Sequence, residues 1–96
     1  MRKFKYQKKE FEIVLIDNEQ ATVSGYKVLM RAQRDLAVHK GPNGWVVVDL
    51  WSGVGIKERS GSRDAAVNSV LQMIESVGVQ NYISQIEEYP DINPRY

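Results

Sequence analysis

The sequence feature that most constrains the fold is the tetrapeptide Gly41-Pro42-Asn43-Gly44, which separates two apolar segments. Proline favours the second position of a tight turn, and glycine tolerates positive φ angles. Residues 35–51 are therefore predicted to form a β-hairpin. Its expected cross-strand pairs are Lys40 with Trp45, Val38 with Val47, and Ala37 with Val48. The small residues at 52–55 should end the second strand.

Upstream of the hairpin, the pattern predicts further strands. Residues 11–16, FEIVLI, form an apolar run rich in branched and aromatic side chains that ends at a turn signal. Phe4 and Tyr6 alternate with lysines, which predicts a separate strand paired to that run across the polar QKKE stretch. Residues 17–24 are expected to be a loop. Residues 26–31 alternate as in a strand with one wet face, although Leu, Met, Arg and Ala there also suit a helix.

Downstream of the hairpin, the apolar spacing becomes helical. Ser62 is a predicted N-cap, and Gly78 lies where a C-terminal glycine cap belongs. A second short helix is expected beyond Gly78, ending before Pro90. The sequence thus predicts one α+β domain over residues 1–96. Its expected architecture is an antiparallel β-meander of four to five strands, followed by one or two C-terminal helices packed on one face.

Composition excludes several kinds of site. The chain has no cysteine, so disulfides, thiolate nucleophiles and cysteine-bound metals are ruled out. Ser52, His39 and Asp49 make a triad only on paper, since no nucleophile-turn motif accompanies them. We therefore expect a protein that is not an enzyme and has no cofactor. No apolar run approaches the length of a membrane span or a signal peptide, which predicts a cytoplasmic protein that does not act at a membrane.

One strand face is a candidate protein-binding surface. Alternation places four residues on that face: Trp45, Val47, Asp49 and Trp51. Tryptophan is enriched at binding hot spots, so an exposed Trp face would suit a protein partner. In the alternative arrangement, the helices cover the Trp face. The opposite face, with Val46, Val48 and Leu50, is then left for the N-terminal segment.

A second candidate site is basic. The residues that could bind an anion or a nucleic acid are Lys3, Lys5, Lys57, Arg59, Ser62 and Arg63. They fall in a basic N-terminus, where Phe4 and Tyr6 are available to stack on bases, and in a basic loop that leads into a helix. The net charge of +1 gives no global preference for such a partner.

The stretch LAVHKGPNGWVVVDLWSGVGI, followed by SRDAAVNSVLQMI, resembles small proteins of phages and prophages of Gram-positive bacteria over about half the chain. That resemblance implies an accessory module that binds and inhibits a host protein. The same half also resembles the β-β-α end of double-stranded RNA-binding domains, in which a basic helix start contacts phosphates. The leading hypothesis is a non-catalytic protein-binding module, and the alternative is a nucleic-acid-binding domain.

Overall fold

The computed structural model describes residues 1–94 of the chain. A five-stranded antiparallel sheet has its strands in chain order, and two helices follow and pack on it, so the predicted α+β meander is confirmed. The elements are β1 Lys5–Val14, β2 Gln20–Leu29, β3 Leu36–Gly41, β4 Gly44–Asp49, β5 Gly55–Arg59, α1 Arg63–Val77 and α2 Val79–Ile86. No helix within this described part is long and apolar enough to cross a membrane.

The predicted hairpin is confirmed together with its register. Lys40 pairs with Trp45, Val38 with Val47, and Ala37 with Val48. Gly44 closes the turn at φ 147°, a conformation that side chains with a Cβ atom rarely adopt. The hairpin was predictable because its turn chemistry and its alternation are both local in sequence.

The predicted N-terminal arrangement is wrong. Residues 5–14 form one continuous strand that pairs along its whole length with β2, and QKKE is its middle rather than a turn. The true turn lies after Val14, where Asn18 has a φ of 65° and donates its backbone N–H to the Leu15 carbonyl. Ile16, predicted as strand core, is fully exposed there. Pairing with a long partner overrides the weak strand preference of lysine and glutamine.

Two further strand segments contradict the sequence expectation. Residues 20–24 were expected in a loop but begin β2, with Ala21 and Val23 alternating inward. Residues 55–59, which are polar apart from Ile56, form the edge strand β5 against β4. Edge strands need only one hydrogen-bonded neighbour and tolerate charged side chains, so their sequences lack a clear apolar alternation.

Both helix boundaries match the predicted caps. The Ser62 hydroxyl accepts a hydrogen bond from the Ala65 N–H at 3.1 Å, at the start of α1. Gly78, at φ 92°, separates the two helices, and its N–H bonds to the Ile74 carbonyl. Val67 and Val70 face the sheet and are fully buried.

Both faces of the sheet are covered, as in the alternative arrangement. On one face, Val38 and Val47 pack against Val67 and Val70 of α1. On the other, the long β1–β2 hairpin folds back, so that Phe11 packs against Val48 and Leu50. Gly25 lies where β2 meets β3 closely, and a Cβ atom there would collide with the Val38 carbonyl oxygen.

Candidate nucleic-acid interface

Three aromatic rings cross the helix-side face of the sheet beside the start of α1. Tyr6 on β1 contacts Tyr26 on β2 with ring centroids 6.3 Å apart, and Tyr26 contacts Trp45 on β4 at 6.1 Å. All three rings are half-buried and pack against the core beneath α1. Each side chain therefore keeps part of its surface exposed while packing fixes its position.

Two cations lie over these rings. The Arg63 guanidinium is 4.1 Å from the Tyr6 centroid and 4.6 Å from that of Tyr26. The Lys40 ammonium is 5.1 Å from the Trp45 centroid. Cations at such distances are attracted to the negative face of the ring. We call these five residues, Tyr6, Tyr26, Lys40, Trp45 and Arg63, the basic aromatic row.

The N-terminal segment is fastened to the first turns of α1. Asp64 accepts hydrogen bonds from the Tyr6 hydroxyl at 2.5 Å and from the Phe4 N–H at 3.3 Å. Asn68 donates to the Arg2 carbonyl at 2.8 Å. Burial, followed by the contacts with Asp64, raises the pKa of Tyr6 well above its usual range, so its hydroxyl stays a donor. Asp64, the carboxylate nearest the row, is thus engaged within the protein.

Exposed cations extend the row on both sides. Arg59 is paired with Trp45 across β4 and β5, Lys57 with Val47, and Lys8 with Tyr26 on the other edge. Directly paired residues share a face, so all three side chains lie on the side of the row. All three are exposed, and no carboxylate of residues 1–94 forms a salt bridge with them.

Six acidic side chains lie away from the row, which makes the charge distribution uneven despite the small net charge. They occupy the end of the β1–β2 hairpin and the segment after α2, and they include Glu12, Asp17, Glu19, Glu87, Glu88 and Asp91. Two carboxylates do lie near the row: Asp64 is bonded to Tyr6, and Glu58, between two of the flanking cations, accepts from the Asn43 N–H at 3.0 Å. The cations there outnumber them, which leaves a local excess of positive charge.

The structure brings three of the six predicted anion-binding residues, Lys57, Arg59 and Arg63, to the side of the row. Lys3 is exposed in the segment that precedes β1. Lys5 neighbours Tyr6 in β1 and therefore points to the opposite face of that strand. The Ser62 hydroxyl is engaged in capping α1.

The predicted protein-binding residues do not form one accessible patch. Val47 and Asp49 have no exposed area, so they offer a partner no contact surface. Trp45 belongs to the basic aromatic row. Trp51 lies beyond the end of β4, where the Arg34 guanidinium is 4.6 Å from its ring and its indole N–H donates to Asp35 at 3.3 Å.

Asp49 is the centre of a buried polar network. It accepts two hydrogen bonds from Arg34, at 3.0 and 2.8 Å, and bonds from the Ser52 hydroxyl and backbone N–H at 2.6 and 3.0 Å. His39 lies on another face of the sheet, with its ring against Phe11. The triad drawn from Ser52, His39 and Asp49 is therefore not assembled.

Sequence reasoning missed Tyr26, Lys8 and Lys40 as members of the site. Lys40 had been placed opposite Trp45 by the predicted register, which was the signal that a cation and an indole adjoin. Tyr26 could not be placed beside Trp45 in advance, because that depends on the pairing of β2 with β3 across residues 30–35.

Comparison of the chain with protein-family models, with curated proteins and with solved structures finds no match. The function is therefore argued from the geometry of the described residues.

Proposed function

We propose that this protein binds single-stranded nucleic acid through the basic aromatic row. The observation that supports this most strongly is the row itself, with Tyr6, Tyr26 and Trp45 in sequence across the sheet and Arg63 and Lys40 over them. Single-strand binders combine a positively charged surface for the phosphates with aromatic rings for the bases.

The preference for single strands follows from the rings. Sheet surfaces that carry two or three aromatic rings can stack bases only when those bases are unpaired. Base stacking on an aromatic side chain contributes about 1–3 kcal/mol per base. The guanidinium of Arg63 is planar and already stacked, so it can lie against a base or contact a phosphate.

The flanking cations supply the contacts to phosphates. Lys57 and Arg59 on one edge and Lys8 on the other lie on either side of the rings. A nucleic-acid strand that crosses the sheet therefore meets positive charge along its path. These contacts do not depend on the base sequence. This supports a binder with little sequence preference.

Fluorescence anisotropy with a labelled oligothymidine of about 15 nucleotides tests the proposal, a length that suits one small domain. We expect Arg59→Gln/Arg63→Gln to weaken binding at least tenfold, about 1.4 kcal/mol. Trp45→Leu should weaken it at least fivefold through lost stacking, about 1 kcal/mol. A duplex of the same length should bind less tightly than the single strand.

Arg31→Gln provides the matched control, because Arg31 is an exposed cation in the β2–β3 connection, away from the row. It removes one positive charge, half of the change in the double variant, and should leave the affinity unchanged. Equal losses from Arg31→Gln and from the row variants would contradict the proposal, as would the absence of binding at low salt. Circular dichroism establishes that each variant is folded.

The expectation of a protein partner stays a prediction, as does the kinship with phage accessory proteins. Of the four residues predicted to carry it, Trp51 remains half-buried at the surface, away from the row. Its contacts with Arg34 and Asp35 hold the indole in place.

A further inference from the structure

The outer edge of β1 is covered by the protein's own chain at both ends. Just before the strand, the Phe4 N–H donates to Asp64 at 3.3 Å. Near its end, the Glu12 N–H donates to the Asn93 side chain at 2.8 Å, and the Val14 N–H bonds at 3.0 Å to a carbonyl beyond β4. Since N–H groups alternate in direction along a strand, the even-numbered residues of β1 point theirs away from β2.

Between these covered ends lies a segment whose outward backbone groups have no partner. By the same alternation, the N–H and carbonyl groups of Tyr6, Lys8 and Glu10 point to the outer edge. Within residues 1–94, β1 pairs with β2 alone, and no other group bonds to these outward backbone groups. The side chains of Gln7, Lys8 and Glu10 are exposed, so solvent reaches this part of the edge. We call residues 6–10 the open edge of β1.

The open edge is complementary to another extended strand, but its lysines disfavour a second copy of this chain. A two-fold antiparallel pair that uses at least two of the outward residues is centred on residue 7, 8 or 9. Centring it on Lys8 or Lys9 sets that lysine opposite itself, and centring it on Gln7 sets Lys5 opposite Lys9. Like charges directly opposite each other are destabilising, so the partner must have a different sequence.

From these observations, we infer that the open edge of β1 binds an extended acidic peptide segment, which adds to the five-stranded sheet as a further antiparallel strand. Main-chain hydrogen bonds to the outward groups supply affinity in this mode of recognition. Carboxylates opposite Lys5, Lys8 and Lys9 supply the selectivity, because opposite charges in cross-strand pairs are favourable. The inference does not rest on nucleic-acid binding, since it uses backbone groups of the edge and shares only Lys8 with the cations that flank the row.

Two synthetic peptides test this inference in NMR titrations of the full chain. The peptide acetyl-Lys-Glu-Glu-Thr-Val-Glu-amide sets a carboxylate opposite each of the three lysines, and acetyl-Glu-Lys-Lys-Thr-Val-Lys-amide reverses every charge. We expect the acidic peptide to bind about tenfold more tightly than the reversed one. It should also slow hydrogen exchange at the amides of Lys8 and Glu10. The amides of Gln7 and Lys9 point to β2, so their exchange serves as the internal reference.

Two substitutions of Lys8 separate the backbone contribution from the charge. Lys8→Pro removes the outward N–H, and an edge strand tolerates proline where that N–H faces solvent, so the variant should fold and lose binding of the acidic peptide. Lys8→Gln keeps the N–H and should weaken binding only about threefold. Circular dichroism establishes that both variants are folded.

Three results would overturn the inference. The two peptides could bind equally, or Lys8→Pro could bind the acidic peptide as tightly as Lys8→Gln does. In the third, the peptide shifts the lysine side-chain signals but leaves exchange at the amides of Lys8 and Glu10 unchanged, which would mean electrostatic contact without strand pairing. This exchange measurement uses the unsubstituted protein, so it decides the question even where Lys8→Pro does not fold.

Discussion

At the residue scale, the most consequential side chain is Asp49. A carboxylate with no exposed area is stable only when its charge is matched and its oxygens accept hydrogen bonds. Arg34 and Ser52 fulfil both requirements, and the bond with Asp49 raises the pKa of Arg34 above its usual range. The alternation of residues in the sequence predicted that Asp49 shares one face of its strand with Trp45 and Val47. Its partner, fifteen residues earlier, could not be identified because the path of the β2–β3 connection is not encoded in a local pattern.

We predict that Asp49→Ala lowers the free energy of unfolding by about 3 kcal/mol, because the buried Arg34 guanidinium keeps only its longer contact with the partly exposed Asp91, at 3.5 Å. Urea denaturation measures the loss. Asp35→Ala is the comparison, since Asp35 is partly exposed and its contacts are long. Its ion pair with Lys27 spans 3.7 Å, and its bond from the Trp51 indole N–H spans 3.3 Å. We expect that variant to lose no more than about 1 kcal/mol. Equal losses in the two variants would show that the buried pair does not stabilise the fold.

At the element scale, the central hairpin and both helices were predictable, whereas the two edge strands were not. β3, β4 and α1 carry their signals locally, in turn residues, caps and apolar periodicity. β1 and β5 are rich in charged side chains, and their strand conformation depends on neighbours that are distant in sequence. The same limit applied to the site. Lys57, Arg59 and Arg63 were named in advance, whereas Lys8 and Lys40 were not, and the rings that these cations adjoin come from three separate strands.

The folded-back β1–β2 hairpin depends on Asn93. Its side-chain amide accepts from the Glu12 N–H at 2.8 Å and donates to the carbonyls of Glu12 and Leu50 at 2.9 and 2.7 Å. This links β1 to the chain just beyond β4, two segments that are not neighbours in the sheet. The C-terminal segment therefore holds the second core layer in place.

Asn93→Ala should lower the free energy of unfolding by about 2–3 kcal/mol, because it leaves buried backbone groups without partners. Asn81→Ala removes one exposed bond, to the Val77 carbonyl, and should lower it by less than about 1 kcal/mol. Thermal and urea unfolding of the two variants give the comparison. An Asn93→Ala protein as stable as Asn81→Ala would mean that packing alone holds the hairpin down.

At the scale of the whole molecule, a net charge of +1 conceals a division into basic and acidic regions. Global charge therefore gave no indication of a partner, and only the fold shows that Lys40, Arg59 and Arg63 adjoin one set of rings. Phosphate contacts release counterions, so the affinity of such a surface must fall with salt in proportion to the number of contacts.

The salt dependence of oligothymidine binding is the most direct test. With about four phosphate contacts, the slope of log K against log salt concentration should be roughly −3, and Arg59→Gln/Arg63→Gln should reduce its magnitude by about half. A slope near zero, or one that the double substitution leaves unchanged, would contradict nucleic-acid binding by the basic aromatic row.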